Sequence, residues 1–152
     1  MTDLEFDVSG LREQGMLEFA RQVEPAVAQP LLAGAAVLTG PLEVQLRVVR
    51  NGSGASFSGT VEGGWEFACV RCLEPARLRF RAGVEGSVAA GQNVLDVSEE
   101  MRQALSLALP ERARCREDCK GLCPRCGANR NAGDCGCPPE GPAPYGRGEV
   151  VV

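Results

Sequence analysis

Several residue types with catalytic roles in proteins are scarce in this sequence. Histidine is absent, and tryptophan and tyrosine occur once each. Without histidine, general acid–base catalysis would fall to carboxylates or cysteine. Neither a Walker-type phosphate loop nor a nucleophile elbow is present. We therefore expect a protein that is not an enzyme and has no small-molecule substrate.

Long apolar runs are also missing. The longest, "PLLAGAAVLTG" at residues 30–40, is too short to span a bilayer. The opening "MTDLEFDVSGLREQG" has neither the basic start nor the apolar stretch of a signal peptide. We expect a cytoplasmic protein that does not act at a membrane. In that compartment thiols stay reduced, and clustered cysteines favour metal binding over disulfides.

Cysteine, by contrast, is abundant, with eight residues in two clusters. Zinc prefers four tetrahedral ligands, commonly delivered as Cys-x-x-Cys pairs. The run from Cys123 to Cys137 can complete one four-sulfur site, and the other four cysteines would form a second. We expect Zn²⁺ in one or two structural sites. The predicted ligands are Cys69, Cys72, Cys115, Cys119, Cys123, Cys126, Cys135 and Cys137.

Other interpretations of the cysteines remain open at the level of sequence. Cys69/Cys72 could group with Cys123/Cys126, which would leave the other four cysteines as the second site. A disulfide framework, an iron–sulfur cluster or a redox Cys-x-x-Cys at Cys69 and Cys72 are further possibilities. Zinc binding remains the favoured interpretation, because a structural zinc site contributes about 10–16 kcal/mol of apparent binding free energy. The run from Cys115 to Cys137 is almost devoid of apolar residues, so it needs such a source of stability.

Alternating apolar residues predict an antiparallel, strand-rich body. In residues 41–63 one face carries Val44, Leu46 and Val48, and Asn51-Gly52 predicts a turn between two strands. Residues 65–88 predict a second strand pair. Trp65, Phe67 and Cys69 alternate on the first strand, and Leu78, Phe80 and Ala82 alternate on the second, with Arg77, Arg79 and Arg81 on its other face. The "CVRC" motif is expected to connect these two strands.

The clearest predicted helix is "DVSEEMRQALSLALPE". Asp96 and Glu99 have the spacing of a capping box, and Pro110 ends the pattern. Its apolar face is predicted to hold Met101, Leu105 and Ala108, widened by Leu107 and Leu109.

The predicted fold class is α+β: a barrel-like or open antiparallel body of five to seven strands, one main helix and a cysteine-rich zinc-knuckle segment. The predicted divisions are 1–110 for the body, 111–137 for the cysteine-rich segment packed on it, and 138–152 for a flexible tail.

Three motifs in this order resemble the YceD family, the large ribosomal RNA subunit accumulation proteins. They are "FACVRCLEP", "DVSEEMRQALSLALPERARC" and "EDCKGLCPRCGANRNAGDCGC". The resemblance implies a cytoplasmic factor for accumulation or processing of large-subunit (23S) ribosomal RNA, acting in ribosome assembly. Its implied partners are that RNA or its precursor, and ribosomal or assembly proteins.

The charge distribution is compatible with RNA contact. The chain carries a formal net charge of −4, and each tetrathiolate zinc site would add −2. Residues 69–81 nevertheless have a net charge of +3 and residues 112–130 of +4. Basic residues gathered on one face would attract phosphate. The candidate RNA-binding residues are Arg71, Arg77, Arg79, Arg81, Arg112, Arg114, Arg116, Lys120, Arg125 and Arg130.

Two further functional classes are compatible with the sequence. A zinc-ribbon adaptor in transcription or translation would bind only protein, and a thiol redox protein would use Cys69 and Cys72. Few aromatic residues are available for base stacking, because Trp65, Phe67 and Phe80 alternate as core residues do.

Overall fold

The computed structural model describes residues 2–32, 36–110 and 112–138. Seven strands and three α-helices form within these ranges, together with a 3₁₀ turn at Gln29–Leu31. In chain order they are β1 (Glu5–Asp7), α1 (Leu11–Gln14), β2 (Met16–Val23), α2 (Pro25–Ala28), β3 (Val37–Leu38), β4 (Leu42–Asn51), β5 (Gly54–Ala68), β6 (Pro75–Val88), β7 (Val94–Asp96) and α3 (Ser98–Ala108).

The strands form two antiparallel sheets. In the larger sheet β2 pairs with β4 and β4 with β5, β3 pairs with the end of β5, and β6 pairs with β5 as well. Strands β1 and β7 form the second, two-stranded sheet. Within the described part of the chain β2 and β6 have no outer neighbour, so the larger sheet is open. The predicted α+β class is confirmed, in its open-sheet form.

One face of the larger sheet covers the hydrophobic core. Val44, Leu46 and Val48 of β4 are buried, whereas Gln45 and Arg47 between them are exposed, as the alternation predicts. The hairpin between β4 and β5 turns at Gly52, whose φ of 60° suits glycine.

Strands β5 and β6 form a long hairpin that carries the "CVRC" motif at its tip. The register runs from Ala55 opposite Val88 to Ala68 opposite Pro75. Trp65 is fully buried and stacks on Phe80, with ring centroids 4.0 Å apart. Trp65 belongs to the core, as predicted, and Phe80 packs against that core as a partly buried residue.

The main helix, α3, packs on β6 and buries Met101, Ala104 and Leu105. The expectation that Leu107 widens the apolar face is wrong, because its side chain is 88% exposed. Leu107 follows Leu105 by two residues, which places it about 200° around the helix axis.

The predicted capping box is wrong as well. The helix begins at Ser98 with Val97 as its N-cap residue. Asp96 accepts a hydrogen bond from the backbone N–H of Ser98 at 2.9 Å. Glu99 turns outward and accepts hydrogen bonds from Arg102 and Gln103 instead.

Residues 112–138 contain no helix or strand, and their only bridge joins Leu122 to Asn129. The tail prediction for 138–152 falls almost entirely outside the described residues. No helix in the described ranges is long and apolar enough to cross a membrane.

Candidate metal centre

The eight cysteines converge into two four-sulfur groups. We call Cys69, Cys72, Cys115 and Cys119 the first group, and Cys123, Cys126, Cys135 and Cys137 the second group. Within each group all sulfur atoms lie within 4.8 Å of one another. The spacing of the cysteines predicts this division, and the alternative pairing of Cys69/Cys72 with Cys123/Cys126 is not found.

A tight turn presents the two hairpin cysteines of the first group. The N–H of Leu73 donates to the carbonyl of Cys69, and the N–H of Cys69 donates to the carbonyl of Glu74, both at 2.9 Å. Leu73 adopts a φ of 62°, which is uncommon for a residue other than glycine. This turn brings Cys69 and Cys72 to one side of the hairpin tip.

Backbone contacts join the hairpin tip to the chain after α3. The N–H of Val70 donates to the carbonyl of Ala113 at 2.9 Å, and the N–H of Leu122 donates to the carbonyl of Arg71 at 3.1 Å. The guanidinium of Arg71 donates to the carbonyl of Cys119 at 2.9 Å. Segments distant in sequence therefore meet around the first group.

The second group uses a turn with the same backbone hydrogen bonds. The N–H of Gly127 donates to the carbonyl of Cys123, and the N–H of Cys123 donates to the carbonyl of Ala128, both at 2.8 Å. Gly127 has the positive φ predicted for it, 75°. Cys135 and Cys137 then return from within the same segment, so this group is closed locally.

The distances between sulfurs fit a tetrahedral ion. A zinc–sulfur distance of about 2.3 Å in tetrahedral geometry separates the sulfurs by about 3.8 Å. The sulfurs of Cys69 and Cys119 lie 3.8 Å apart, and those of Cys72 and Cys115 lie 3.7 Å apart. A disulfide would require about 2.05 Å, and all eight cysteines are free. Each group thus has the donors and the spacing to hold one metal ion.

Backbone N–H groups favour the thiolate form at one cysteine of each pair. The N–H of Cys72 lowers the pKa of Cys69 to about 6, although burial opposes the shift. The N–H groups of Cys126 and Arg125 lower the pKa of Cys123 to about 6. Burial and neighbouring sulfurs raise the pKa of Cys115 to about 12. A bound divalent cation would favour the thiolate form of all four cysteines in a group, including those whose pKa is raised, since it attracts negative charge.

The ten candidate RNA-binding residues occupy different environments. Arg77 pairs with Glu66 at 2.9 Å and Arg81 with Glu62 at 3.2 Å, across β5 and β6 on the solvent face of the sheet. Arg79 lies on the same face, opposite Gly64. The glutamates offset much of the positive charge predicted for β6.

The cysteine-rich segment holds the other basic residues. The side chains of Arg112, Arg114, Lys120 and Arg125 are exposed, and none has a partner among the described residues. Arg116 contacts Asp118 at 3.4 Å. The remaining residue, Arg130, lines an open cleft of about 750 Å³ between the two groups, together with Arg71, Lys120, Asp118 and Asp134.

One polar residue near the sulfurs has a role that sequence reasoning missed. The side-chain amide of Asn131 donates to the sulfur of Cys119 at 3.3 Å. This hydrogen bond lowers the pKa of Cys119. The motif "NRN" is visible in the sequence, but the sulfur that Asn131 contacts depends on the path of the chain between the groups.

Comparison with known proteins confirms the resemblance over the second and third of the three motifs, and the first motif, at residues 67–75, lies outside the matched range. The family model "Large ribosomal RNA subunit accumulation protein YceD" matches residues 83–146, a stretch that includes six of the eight cysteines. The chain is also similar to uncharacterized proteins of Mycobacterium tuberculosis and Mycobacterium bovis. Each is 32% identical over 103 residues, in an alignment covering 57% of this chain and 50% of the relative.

An uncharacterized protein of Mycobacterium leprae is 26% identical over 145 residues, which covers 82% of this chain and 66% of the relative. The chain spans about half the length of the M. tuberculosis and M. bovis relatives. No solved structure matches the chain significantly.

Proposed function

We propose that this chain is a zinc-stabilised, non-enzymatic factor for accumulation or processing of large-subunit ribosomal RNA, and that it acts in the cytoplasm by binding this RNA or its precursor particles. The observation that carries the proposal is the match of residues 83–146 to the YceD family model. The name of that family supplies the link to large-subunit RNA. The geometry of the cysteine-rich segment supports the metal and the binding surface.

Zinc is the metal that the two groups suit best. Four thiolates at tetrahedral spacing are the donor set of structural zinc sites. An iron–sulfur cluster would hold some of its cysteine sulfurs farther apart, around several irons, whereas every sulfur here lies within 4.8 Å of the others in its group. A closed four-sulfur site leaves no position for a reactive water, which supports a structural role rather than metal-assisted hydrolysis.

The surface that contacts RNA is assigned to the cysteine-rich segment rather than to the sheet. Arg77 and Arg81 are already paired with glutamates, so they offer little net charge to phosphate. Arg112, Arg114 and Arg125 are exposed and have no such partner among the described residues. Unpaired arginines form ion pairs with phosphates without first breaking an internal one.

A protein-binding adaptor is the second candidate, and a surface feature favours it. Val70 and Leu73 lie in the turn that carries Cys69 and Cys72, which we call the first turn. Their side chains are 53% and 65% exposed. Exposed apolar side chains on a rigid turn suit contact with a protein. The redox alternative has less support, because the sulfurs of Cys69 and Cys72 are buried.

The test is binding of the zinc-loaded protein to large-subunit precursor RNA at increasing salt. Arg112→Gln with Arg114→Gln should weaken binding and reduce the salt slope by about 1.4, at about 0.7 for each lost phosphate contact with single-stranded RNA. Arg77→Gln with Arg81→Gln is the matched control, since it also removes two positive charges.

The control should change the affinity much less, because those arginines are already neutralised by Glu66 and Glu62. Equal losses in both variants would overturn the assignment of the surface. Failure of the protein to bind RNA at any salt concentration, or to sediment with precursor particles from cell extracts, would overturn RNA binding and favour the adaptor.

A further inference from the structure

Asn131 connects the two four-sulfur groups. It lies between Cys126 and Cys135, in the loop that the second group closes, yet its side-chain amide donates to Cys119 of the first group at 3.3 Å. The contact therefore joins a loop organised by one group to a sulfur that belongs to the other.

Both the oxygen and the nitrogen of the Asn131 side-chain amide form hydrogen bonds. Its carbonyl oxygen accepts hydrogen bonds from the backbone N–H of Lys120 and from the guanidinium of Arg116, both at 2.9 Å. Its own backbone N–H donates to the side-chain oxygen of Asn129 at 2.9 Å. These contacts orient the amide so that its N–H group, and not its oxygen, faces the sulfur.

The loop that carries Asn131 buries little apolar surface. Cys123 is the only apolar residue between positions 123 and 138 that is buried. The backbone contacts that hold the loop against the first group are the bond from the N–H of Arg130 to the carbonyl of Gly121 and the bridge between Leu122 and Asn129. Because so little apolar surface is buried, closure by the second group supplies a constraint on where Asn131 lies that side-chain packing does not.

We propose that Asn131 couples the two groups, so that metal at the second group raises the affinity of the first group for metal. The inference rests on metal binding as part of the proposed function. A hydrogen bond from an amide to a metal-bound thiolate stabilises the negative charge on sulfur and orients the ligand. By linkage, metal at the first group raises the affinity of the second by the same factor.

The first experiment compares two substitutions with the same chemistry. In Asn131→Asp the acceptor for Lys120 and Arg116 is kept, but the donor to Cys119 is replaced by a carboxylate oxygen. In Asn129→Asp, the matched control, a carboxylate is likewise added two residues away, and the oxygen that accepts from Asn131 is kept.

The protein is loaded with cadmium, and each group is followed by its own cadmium NMR signal during competition with a chelator. Asn131→Asp should lower the cadmium affinity of the first group by about 10- to 100-fold and shift its signal. Asn129→Asp should leave both unchanged. Equal effects of the two variants would overturn the proposed role of Asn131.

The second experiment measures the coupling itself. Cys126→Ser should weaken cadmium binding at the first group, although none of that group's ligands is altered. In the Asn131→Asp background the same cysteine change should have little further effect on the first group, which a double-mutant cycle detects.

Two bound ions that are lost independently, in wild type and variants alike, would overturn the coupling and leave the proposed metal binding intact. Failure of the wild-type protein to bind any metal would overturn the zinc-stabilised function as well. The metal stoichiometry therefore distinguishes the two failures.

Discussion

The two Cys-x-x-Cys turns of this protein have the same backbone hydrogen bonds but hold the chain together over very different distances. In each turn the residue after the second cysteine has a positive φ, Leu73 in one and Gly127 in the other. The first turn meets cysteines that lie after α3, beyond the whole of β6 and β7. The second meets Cys135 and Cys137 within its own segment. One local geometry thus serves two purposes, long-range attachment and local closure.

Burial follows the same division. In the first group Cys69, Cys72 and Cys119 are at most 3% exposed, whereas in the second only Cys123 is buried. Closing a longer loop removes more entropy from the unfolded chain, so the first group should contribute more to overall stability. The second should mainly order the segment that contains it.

The largest effect is expected from Cys119→Ser. Loss of a sulfur ligand should abolish metal binding at the first group and with it most of the about 10–16 kcal/mol of apparent binding free energy of a structural site. The amides of Val70 and Leu122, which bond between the hairpin tip and the cysteine-rich segment, should lose hydrogen-exchange protection. Retained protection at both amides would contradict the attachment role of the first group.

A smaller, more local effect is expected from Cys123→Ser with Cys126→Ser. The double substitution should melt the segment around the second group while the strands and α3 stay folded, because the core contains none of its residues. Circular dichroism of the sheet and amide exchange along the chain measure the two parts separately. Cooperative loss of the whole fold would show that the second group stabilises the strands and α3 as well as its own segment.

Two glycines of the cysteine-rich segment share a left-handed backbone conformation but differ in their surroundings. Gly121 and Gly127 both have φ near 75°, so alanine at either position should cost about 1–2 kcal/mol. A Cβ at Gly121 would also lie 3.2 Å from the carbonyl oxygen of Arg71, whereas a Cβ at Gly127 would have nothing within 4 Å. Gly121→Ala should therefore be the more destabilising, as measured by urea unfolding of the zinc-loaded protein. Equal losses of stability would mean that the backbone at Arg71 moves away from the added Cβ at no cost in free energy.

Sequence reasoning predicted those features that depend on local pattern. The alternation around Val44 predicted β4 and its buried face, and the cysteine spacing predicted the two groups. The alternation around Phe80 predicted the strand β6 but not a buried face, because Leu78 is 46% exposed and Phe80 and Ala82 are only partly buried. Errors arose where the outcome depended on competing partners: Glu99 bonds to Arg102 rather than capping α3. The contact of Asn131 with Cys119 could not be predicted, because it depends on how two separately closed loops lie against each other.

The smallest effect is expected from Leu73→Gly, which makes the first turn resemble the second. Glycine relieves about 1–2 kcal/mol of left-handed strain but costs about 0.5–1 kcal/mol of backbone entropy, and the 65% exposed side chain loses little burial. The free energy of unfolding should therefore rise by no more than about 1.5 kcal/mol, with metal stoichiometry unchanged. A loss of stability would mean that Leu73 is needed for folding. Unchanged stability together with weaker sedimentation with precursor particles would mean that the Leu73 side chain contacts a partner. Gly127, at the same position of the second turn, has no side chain with which to make such a contact.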